Sequence, residues 1–405
     1  GVDQTRGWFF ALHAIATMVF DSVAFKNVIS SGLVLDAKGN KMSKHVGNVV
    51  NPFDMIHKYG ADAVRFYMMT NSEPWDNLKF DANGVDEVRR KLFGTLYNTY
   101  SFFALYANVD NFDVETPQVD FAKRPEIDRW ILSCLQTLIK KVDAELKSYD
   151  PTRAGRLIDN FVNDDLSNTY VRQSRKRFWG KEMSDDKLSA YQTLHTCLLT
   201  VAKLLAPFAP FYSDQLYHDL GGDMTSVHLE NFPQANEAFI NTDLEERMEI
   251  ARKITSMTLA LRRKVNIKVR QPLQQIMIPA VSAEQKAQIE AVKDLIMSEV
   301  NVKELKFVEG EDILVKTVKC NFRTMGKKYG KLMKGVANVM SNLDQHQISQ
   351  LEKEGSLFIN VEGQDLVVDA ADVEIISQDI PGWLVSNDGN VTVALEVELT
   401  DELIK

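Results

Sequence analysis

The chain has 405 residues, more than the ~100 to 200 of one compact domain, and its 45% hydrophobic and 25% charged residues are typical of soluble proteins. We therefore expect two or three domains. The net charge of −9 excludes a protein that coats nucleic acid or anionic lipid through its overall field, so any contact with a polyanion must be local.

Cysteines and apolar runs exclude further classes. Cys134, Cys197 and Cys320 are too scattered for a disulfide framework or a cysteine-rich metal site, which indicates thiols in a reducing compartment. No apolar run reaches the ~18 residues needed to cross a bilayer. The start, GVDQTRGWFF, has neither an initiator methionine nor a signal-peptide pattern. We expect a cytoplasmic protein without membrane contact, present here as a piece of a longer chain.

The first 60 residues predict a helix, a strand, a loop and a second helix. Apolar residues recur at helical spacing over residues 8–20, and the runs AFKNVIS and GLVL, within 24–35, have the β-branched residues of a strand. A turn at 36–40 leads into GNKMSKHVGN, a glycine-flanked loop that contains Lys41 and Lys44. Asn51 before Pro52 predicts a helix start and Gly60 its end.

The rest of the chain predicts a helix bundle followed by a small mixed module. Amphipathic segments over 85–109, 127–147, 151–178 and 186–220 favour a bundle, with a break at Pro207 and Pro210. One more helix is predicted over 244–265. Alternating apolar residues then predict strands in LQQIMIPA, KELKFVE, SLFINV and VTVALEVEL. The expected fold class is mainly α, with a smaller α+β part at the end of the chain.

The lysine loop is the first candidate site. Two lysines on one loop suit a bound triphosphate from which pyrophosphate leaves, because their charges can close on the phosphates. The flanking glycines let the loop backbone rearrange as this happens. An ordinary solvated turn is the alternative. KMSKH, however, resembles the Lys-Met-Ser-Lys-Ser signature of class I aminoacyl-tRNA synthetases, with histidine in the last place. The following GNVVNP and YGADAVRFYMM resemble the isoleucine, valine and leucine enzymes, and DQTRGWF resembles the isoleucine branch.

The resemblance implies a domain order and a set of ligands. Residues 1–50 would end a Rossmann-type catalytic domain, 51–83 would contact the tRNA stem, 84–235 would form the anticodon-binding bundle, and 236–405 a C-terminal helix with an α+β module. ATP with Mg²⁺, isoleucine and tRNA-Ile are the implied cofactors and partners, and a monomer is expected. The chain lacks the cysteines of the zinc-binding bacterial type, so it resembles the eukaryotic-like type without a zinc site.

The resemblance also assigns residues to the reaction. Lys41 and Lys44 would be catalytic, because they neutralise the ATP phosphates, and Ser43 would hold the loop at the ATP site through hydrogen bonds. The positions that would line the aminoacyl-adenylate are Gly1, Asp3, Gln4 and Trp8, with Trp8 as an aromatic wall of the isoleucine pocket. His45 departs from the signature, and the effect expected is a loop closure altered in detail. No His-Ile-Gly-His-like motif or editing insertion occurs in these residues, so we expect no activity from this piece alone.

A second candidate site lies in the predicted bundle. Residues 172–181 contain five basic residues and no acid, and Arg172, Arg175, Lys176 and Trp179 fall at i, i+3, i+4, i+7 spacing. A basic helix face that ends in an indole suits phosphates and an unpaired base, so we predict that these four residues bind tRNA. A solvated face with a partly buried tryptophan is the alternative.

Two further acid-free runs, 251–270 and 316–334, hold seven basic residues each and favour the same partner, the second more weakly. The remaining candidates are predicted to pack the interior, among them His195 as a buried, hydrogen-bonded histidine. Two other functions stay open from the sequence: a sibling ligase for valine or leucine, and a non-catalytic tRNA-binding helical module.

Overall fold

The computed structural model describes residues 1–279, 282–308, 315–378, 382–389, 391–400 and 403. The chain divides into two compact units, Gly1–Thr242 and Asp243–Lys405. The finer division of the first unit into three segments stays a prediction. Among the described helices, none combines the length and the apolar character that crossing a membrane requires.

The first unit begins with a short π-helical turn, Thr5–Phe9, that continues into helix α1, Phe10–Phe20. The strand predicted over 24–30 is wrong. Only Val34–Leu35 (β1) forms a strand here, paired in parallel with Leu78–Lys79 (β2). Val28 and Ile29 are about half exposed, so the preceding residues offer no buried face. Strand propensity measures how well side chains fit a half-buried pleated surface, and no such surface covers this segment.

Two helices follow the lysine loop, and the capping residues predicted the first of them. Helix α2, Pro52–Tyr59, starts where the Asn51 side chain accepts a hydrogen bond from the Phe53 amide at 3.0 Å. Gly60 ends it at a φ of 87°, a backbone conformation that glycine adopts without strain, and starts helix α3, Ala61–Thr70. These helices and β2 enclose a small apolar cluster of residues Ala63, Val64, Tyr67, Leu78, Phe80 and Val85.

The predicted helix bundle is confirmed. Its first long helix consists of α4, Ala82–Val88, a π-helical turn, and α5, Gly94–Asp110. The second is α6, Glu126–Lys147, and the third consists of α7, Pro151–Asn160, a π-helical stretch over Phe161–Val171, and α8, Arg172–Phe178. The last two are α9, Asp185–Leu205, and α10, Pro210–Asp219, separated at the prolines as predicted.

The bundle interior is apolar and closely packed. Trp130, Ile131 and Leu135 of α6 are at most 1% exposed, and they recur at the helical spacing that sets the buried stripe. His195 is hydrogen-bonded as predicted, with its Nε2 atom 2.8 Å from the Leu220 carbonyl oxygen, but it is half-buried and not fully buried. Burial lowers the pKa of His195, so the ring is neutral at physiological pH.

The second unit begins in helix α11, Thr242–Lys264, and is built on a four-stranded sheet. Its strands are β3, Leu273–Pro279, β4, Val302–Val308, β9, Trp383–Asp388, and β10, Val391–Glu396, and they lie in the order β4-β3-β10-β9. β3 and β4 are parallel, connected through α12, Ala283–Ala291, and α13, Lys293–Val300. β10 is antiparallel to both β3 and β9.

A helical subregion with two strand pairs completes the second unit. β5, Val315–Cys320, pairs with β8, Val373–Gln378, and β6, Ser356–Val361, forms a hairpin with β7, Gln364–Asp369. Three helices connect β5 to β6 along the chain: α14, Phe322–Tyr329, α15, Met333–Ser341, and α16, Gln345–Glu354. The predicted α+β module is therefore confirmed, although the sequence missed four of its strands and five of its helices.

Candidate nucleotide loop and RNA-contacting helix

The lysine loop is anchored through its methionine. Met42 is half-buried and packs against the apolar cluster of α3 and β2, whereas Lys41 and Lys44 on either side of it are exposed. Neither lysine forms an ion pair within the described residues. An apolar anchor between two free ammonium groups presents both charges to solvent from a fixed base, as an anion site requires.

Hydrogen bonds inside the loop define its backbone. The Ser43 hydroxyl accepts from the His45 amide at 3.2 Å, and the Ser43 carbonyl accepts from the amides of Val46 and Gly47. Gly47 has a φ of 71°, which closes this turn in the left-handed region. Ser43 thus occupies the loop-holding position that the sequence predicts.

The predicted adenylate residues lie in the turn that precedes α1. The Val2 amide donates to the Ser31 carbonyl at 2.9 Å, which ties this turn to the segment leading into β1 and the lysine loop. Gly1 and Asp3 are exposed, Gln4 is half-buried, and the Trp8 indole is 52% exposed beside Phe9. The structure connects these residues to the loop through β1, and the Trp8 and Phe9 ring centroids lie 4.3 Å apart.

The basic face of the bundle has the geometry that the spacing predicts. Arg172, Arg175, Lys176 and Trp179 are all exposed, the indole by 58%. On the opposite side of α8, Ser174 and Phe178 are buried, Phe178 against the rings of Phe102 and Tyr191. The Arg172 Nε atom donates to the Asn168 carbonyl at 2.7 Å, whereas Arg175 and Lys176 have no ion pair among the described residues.

The fourth basic residue of this run is a structural one. Arg177 donates to both oxygens of the buried Asp128, at 2.6 and 2.9 Å, and its Nε atom lies 3.0 Å from Asp186. Asp128 also accepts from the hydroxyls of Tyr170 and Ser189. Burial acts to lower the pKa of Arg177, but its hydrogen bonds and charge interaction with Asp128 raise that pKa overall. Arg177 therefore fixes α8 to the bundle instead of facing solvent.

A second buried cation fixes the other side of Trp179. The Lys187 ammonium, 2% exposed, donates to the Gly180 carbonyl at 2.6 Å and forms an ion pair with Asp110 at 2.5 Å. Burial acts to raise the pKa of Asp110, but hydrogen bonds from Lys187 and Tyr191 outweigh it, so the pKa is lowered and the carboxylate stays charged. Trp179 is thus held between two anchored neighbours, Arg177 and Gly180, with its indole in solvent.

The other two basic runs are less uniform than the sequence suggests. Arg262 is 1% exposed, and its guanidinium donates to the carbonyls of Lys268, Gln271 and Asn301, so it stabilises the turn after α11. In the third run Lys328 pairs with Asp369 and Asp372. The side chain of Lys316 lies outside the described residues. Nothing in the sequence distinguishes these residues from solvent-exposed lysines and arginines, because the burial of a charge depends on partners that are distant in the chain.

Two known families match separate parts of the chain. Residues 1–81 match tRNA synthetases class I (I, L, M and V), and residues 128–278 match the anticodon-binding domain of tRNA ligase. The chain is 64% identical to the isoleucine–tRNA ligases of Bacteroides thetaiotaomicron and Bacteroides fragilis and 60% identical to that of Porphyromonas gingivalis. The chain belongs to the isoleucine–tRNA ligase family.

Membership of this family extends over the whole chain, since each of these alignments covers 100% of it. The chain spans 35% of the length of the Bacteroides thetaiotaomicron ligase and 36% of the Porphyromonas gingivalis one. The resemblance to class I synthetases, drawn from the KMSKH loop and its flanking motifs, is confirmed. The match over residues 1–81 lies entirely within the unit Gly1–Thr242. The match over residues 128–278 begins in that unit and ends in the second one.

Proposed function

We propose that the full-length protein is an isoleucine–tRNA ligase, which activates isoleucine with ATP and esterifies tRNA-Ile. The observation that carries this proposal is the lysine loop. It presents two exposed ammonium groups on a base anchored by Met42, in a chain 64% identical to curated isoleucine–tRNA ligases. The proposal includes the implied cytoplasmic location and monomeric state.

In the proposed first step, a carboxylate oxygen of isoleucine attacks the α-phosphorus of ATP, and the bond from that phosphorus to the pyrophosphate oxygen breaks. Lys41 and Lys44 stabilise the negative charge that develops on the leaving pyrophosphate, a term that dominates such transfers. Ser43 keeps the loop turn closed while they do so. Gly1, Asp3, Gln4 and Trp8 would line the adenylate, and the exposed Trp8 indole would cover the isoleucine side chain.

Mg²⁺ would arrive with the triphosphate. Across the described ranges, no group of three histidine, cysteine, aspartate or glutamate side chains is arranged to hold a metal ion. In this proposal the lysines carry this chain's share of the charge neutralisation.

The proposed tRNA contact is the exposed face of α8. Arg172, Arg175 and Lys176 would bind phosphates, and Trp179 would stack on an unpaired base. The exposure of the indole supports this role, as does the lack of an acidic partner for Arg175 and Lys176 among the residues that the structure describes.

Pyrophosphate exchange in the full-length protein tests the first step. Isoleucine should drive the exchange far better than valine or leucine, and Lys44→Ala should lower its rate by at least ~10²-fold with little change in isoleucine affinity. Lys123→Ala, an exposed lysine of the bundle, is the charge-matched control and should leave the rate unchanged. Faster exchange with valine or leucine would assign the protein to a sibling ligase. An intact rate in Lys44→Ala would refute the role assigned to Lys44, and no amino-acid-dependent exchange by the wild-type protein would leave only a tRNA-binding module.

Binding of tRNA to the 405-residue chain tests the second contact. Arg175→Ala should weaken binding to all tRNAs and reduce the log-log salt slope by roughly one, because one phosphate contact is lost. Trp179→Ala should cost ~1 to 3 kcal/mol without changing the slope. The control is Phe358→Ala, an aromatic side chain on β6 that is 77% exposed and lies outside the three basic runs. Equal losses in the Trp179 and Phe358 variants would contradict a specific stacking role for Trp179.

A further inference from the structure

The two ends of the lysine loop are joined by a pair of side chains that the sequence analysis did not single out. Asn48 lies just after the loop and Asp36 just before it. The Asn48 Nδ2 atom donates to the Asp36 Oδ2 atom at 3.0 Å, and both residues are half-buried. We call these two side chains the loop clasp.

Both the oxygen and the nitrogen of the Asn48 side-chain amide form hydrogen bonds in this arrangement. Its Oδ1 atom accepts from the Ser43 amide at 2.8 Å, and its Nδ2 atom also donates to the Lys41 carbonyl at 3.2 Å. These bonds reach the backbone on both sides of Met42. The Asn48 side chain therefore defines the backbone of the segment from which the two lysines project.

Asp36 fixes the other end through backbone amides. Its Oδ1 atom accepts from the amides of Lys38 at 3.0 Å and Asn40 at 2.8 Å, and its own amide donates to the Asn40 carbonyl. This is the aspartate turn that short polar side chains form with their own backbone. Hydrogen bonds from Asn48 and from the Asn40 amide lower the pKa of Asp36, so the clasp is ionised at neutral pH.

We propose that Asp36 and Asn48 are positioning residues for adenylate formation, which set the backbone of the lysine loop so that Lys41 and Lys44 meet the leaving pyrophosphate. Apart from each other, the clasp side chains bond loop backbone groups and the Asn40 side-chain amide, which donates to the Asp36 Oδ2 atom at 3.4 Å, while both lysine side chains are exposed. It therefore acts through the loop geometry and not by touching ATP. This inference rests on the proposed function, because it deepens the role of the same loop.

The substitution that tests the clasp most sharply is Asn48→Asp. The new side chain has nearly the same shape, but it places a second carboxylate at the position now 3.0 Å from Asp36 and removes both amide donors. Asn27→Asp is the matched control, since Asn27 is exposed on the segment before β1 and makes the same chemical change. The double variant Asp36→Asn/Asn48→Asp restores one donor and one acceptor between the two positions.

In the full-length protein, Asn48→Asp should lower the kcat of isoleucine-dependent pyrophosphate exchange at least about tenfold. The KM for isoleucine and the transfer from preformed isoleucyl-adenylate to tRNA should stay within about twofold of wild type, because neither uses the pyrophosphate contact. The double variant should recover part of the lost kcat. A general structural defect would instead lower exchange and transfer together, and this outcome, or an exchange rate equal to that of Asn27→Asp, overturns the proposal.

Limited trypsin digestion of the 405-residue chain tests the clasp without any activity. Cleavage after Lys41 and Lys44 should be at least about fivefold faster in Asn48→Asp than in Asn27→Asp, because local opening of the loop is easier. Equal cleavage rates would show that the pair does not hold the loop. A wild-type protein without isoleucine-dependent exchange would refute the proposed function, whereas the digestion still decides whether the clasp exists.

Discussion

Replacing Asp128 by alanine should destabilise the first unit severely, because it leaves the Arg177 guanidinium buried without its carboxylate. Asp128 is fully buried, and Arg177 is 14% exposed, so water can replace little of the lost interaction. Removing one partner of such a pair costs ~3 to 5 kcal/mol, whereas exposed pairs contribute ~0 to 1 kcal/mol. The cost should lie towards the upper end of the range for buried pairs, since the hydroxyls of Tyr170 and Ser189 also lose their acceptor.

Hydrogen exchange of the buried amides of α6 measures this loss in the 405-residue chain. Since ~1.4 kcal/mol is a factor of ten, protection should fall by roughly 150- to 5000-fold in Asp128→Ala. The control, Asp143→Ala, lies on the same helix and removes an exposed pair with Lys147 of 2.6 Å, so protection should change by less than about fivefold. If protection in Asp128→Ala also changes by less than about fivefold, the reasoning is refuted.

A double variant separates the charge from the packing. Asp128→Leu/Arg177→Met removes both charges and keeps apolar volume at both positions, so most of the lost protection should return. If the double variant is as unstable as Asp128→Ala, the loss comes from the hydroxyl partners and not from the unpaired guanidinium.

Three further predictions concern buried polar groups. Lys187→Met should accelerate hydrogen exchange over 180–184 by roughly 5- to 150-fold, since the Gly180 carbonyl and Asp110 lose their donor, while Lys181→Met, an exposed lysine, should not. Arg262→Met should likewise accelerate hydrogen exchange in the turn after α11, and Arg263→Met, at the exposed neighbouring position, is the control. The pKa of His195 is lowered by burial, so the stability that it provides is complete above its unfolded pKa of ~6.5 and declines as the pH falls below that value. His195→Gln, which retains a donor for Leu220, should therefore show a smaller drop in melting temperature between pH 7 and pH 5 than wild type; an equal drop would assign the pH dependence to other groups.

The sequence determined the helices and their solvent faces because those features depend on local residues. Asn51, Pro52 and Gly60 predicted both ends of α2, since capping and positive φ are properties of single positions. The i, i+3, i+4, i+7 spacing predicted that Arg172, Arg175, Lys176 and Trp179 share one exposed face, because helical periodicity fixes which side chains are neighbours. The KMSKH loop and its family were likewise readable from consecutive residues.

Only the tertiary structure decided which charged residues are structural. Arg177 and Arg175 are two residues apart in one basic run, yet the first is paired with Asp128, 49 positions away, and the second is exposed. The buried Arg262 depends in the same way on Asn301, 39 positions away. The strand predicted over 24–30 failed for the converse reason, since a strand needs a partner that local propensity does not supply. Burial and pairing are set by groups distant in the chain, whereas propensity and periodicity report only on neighbours.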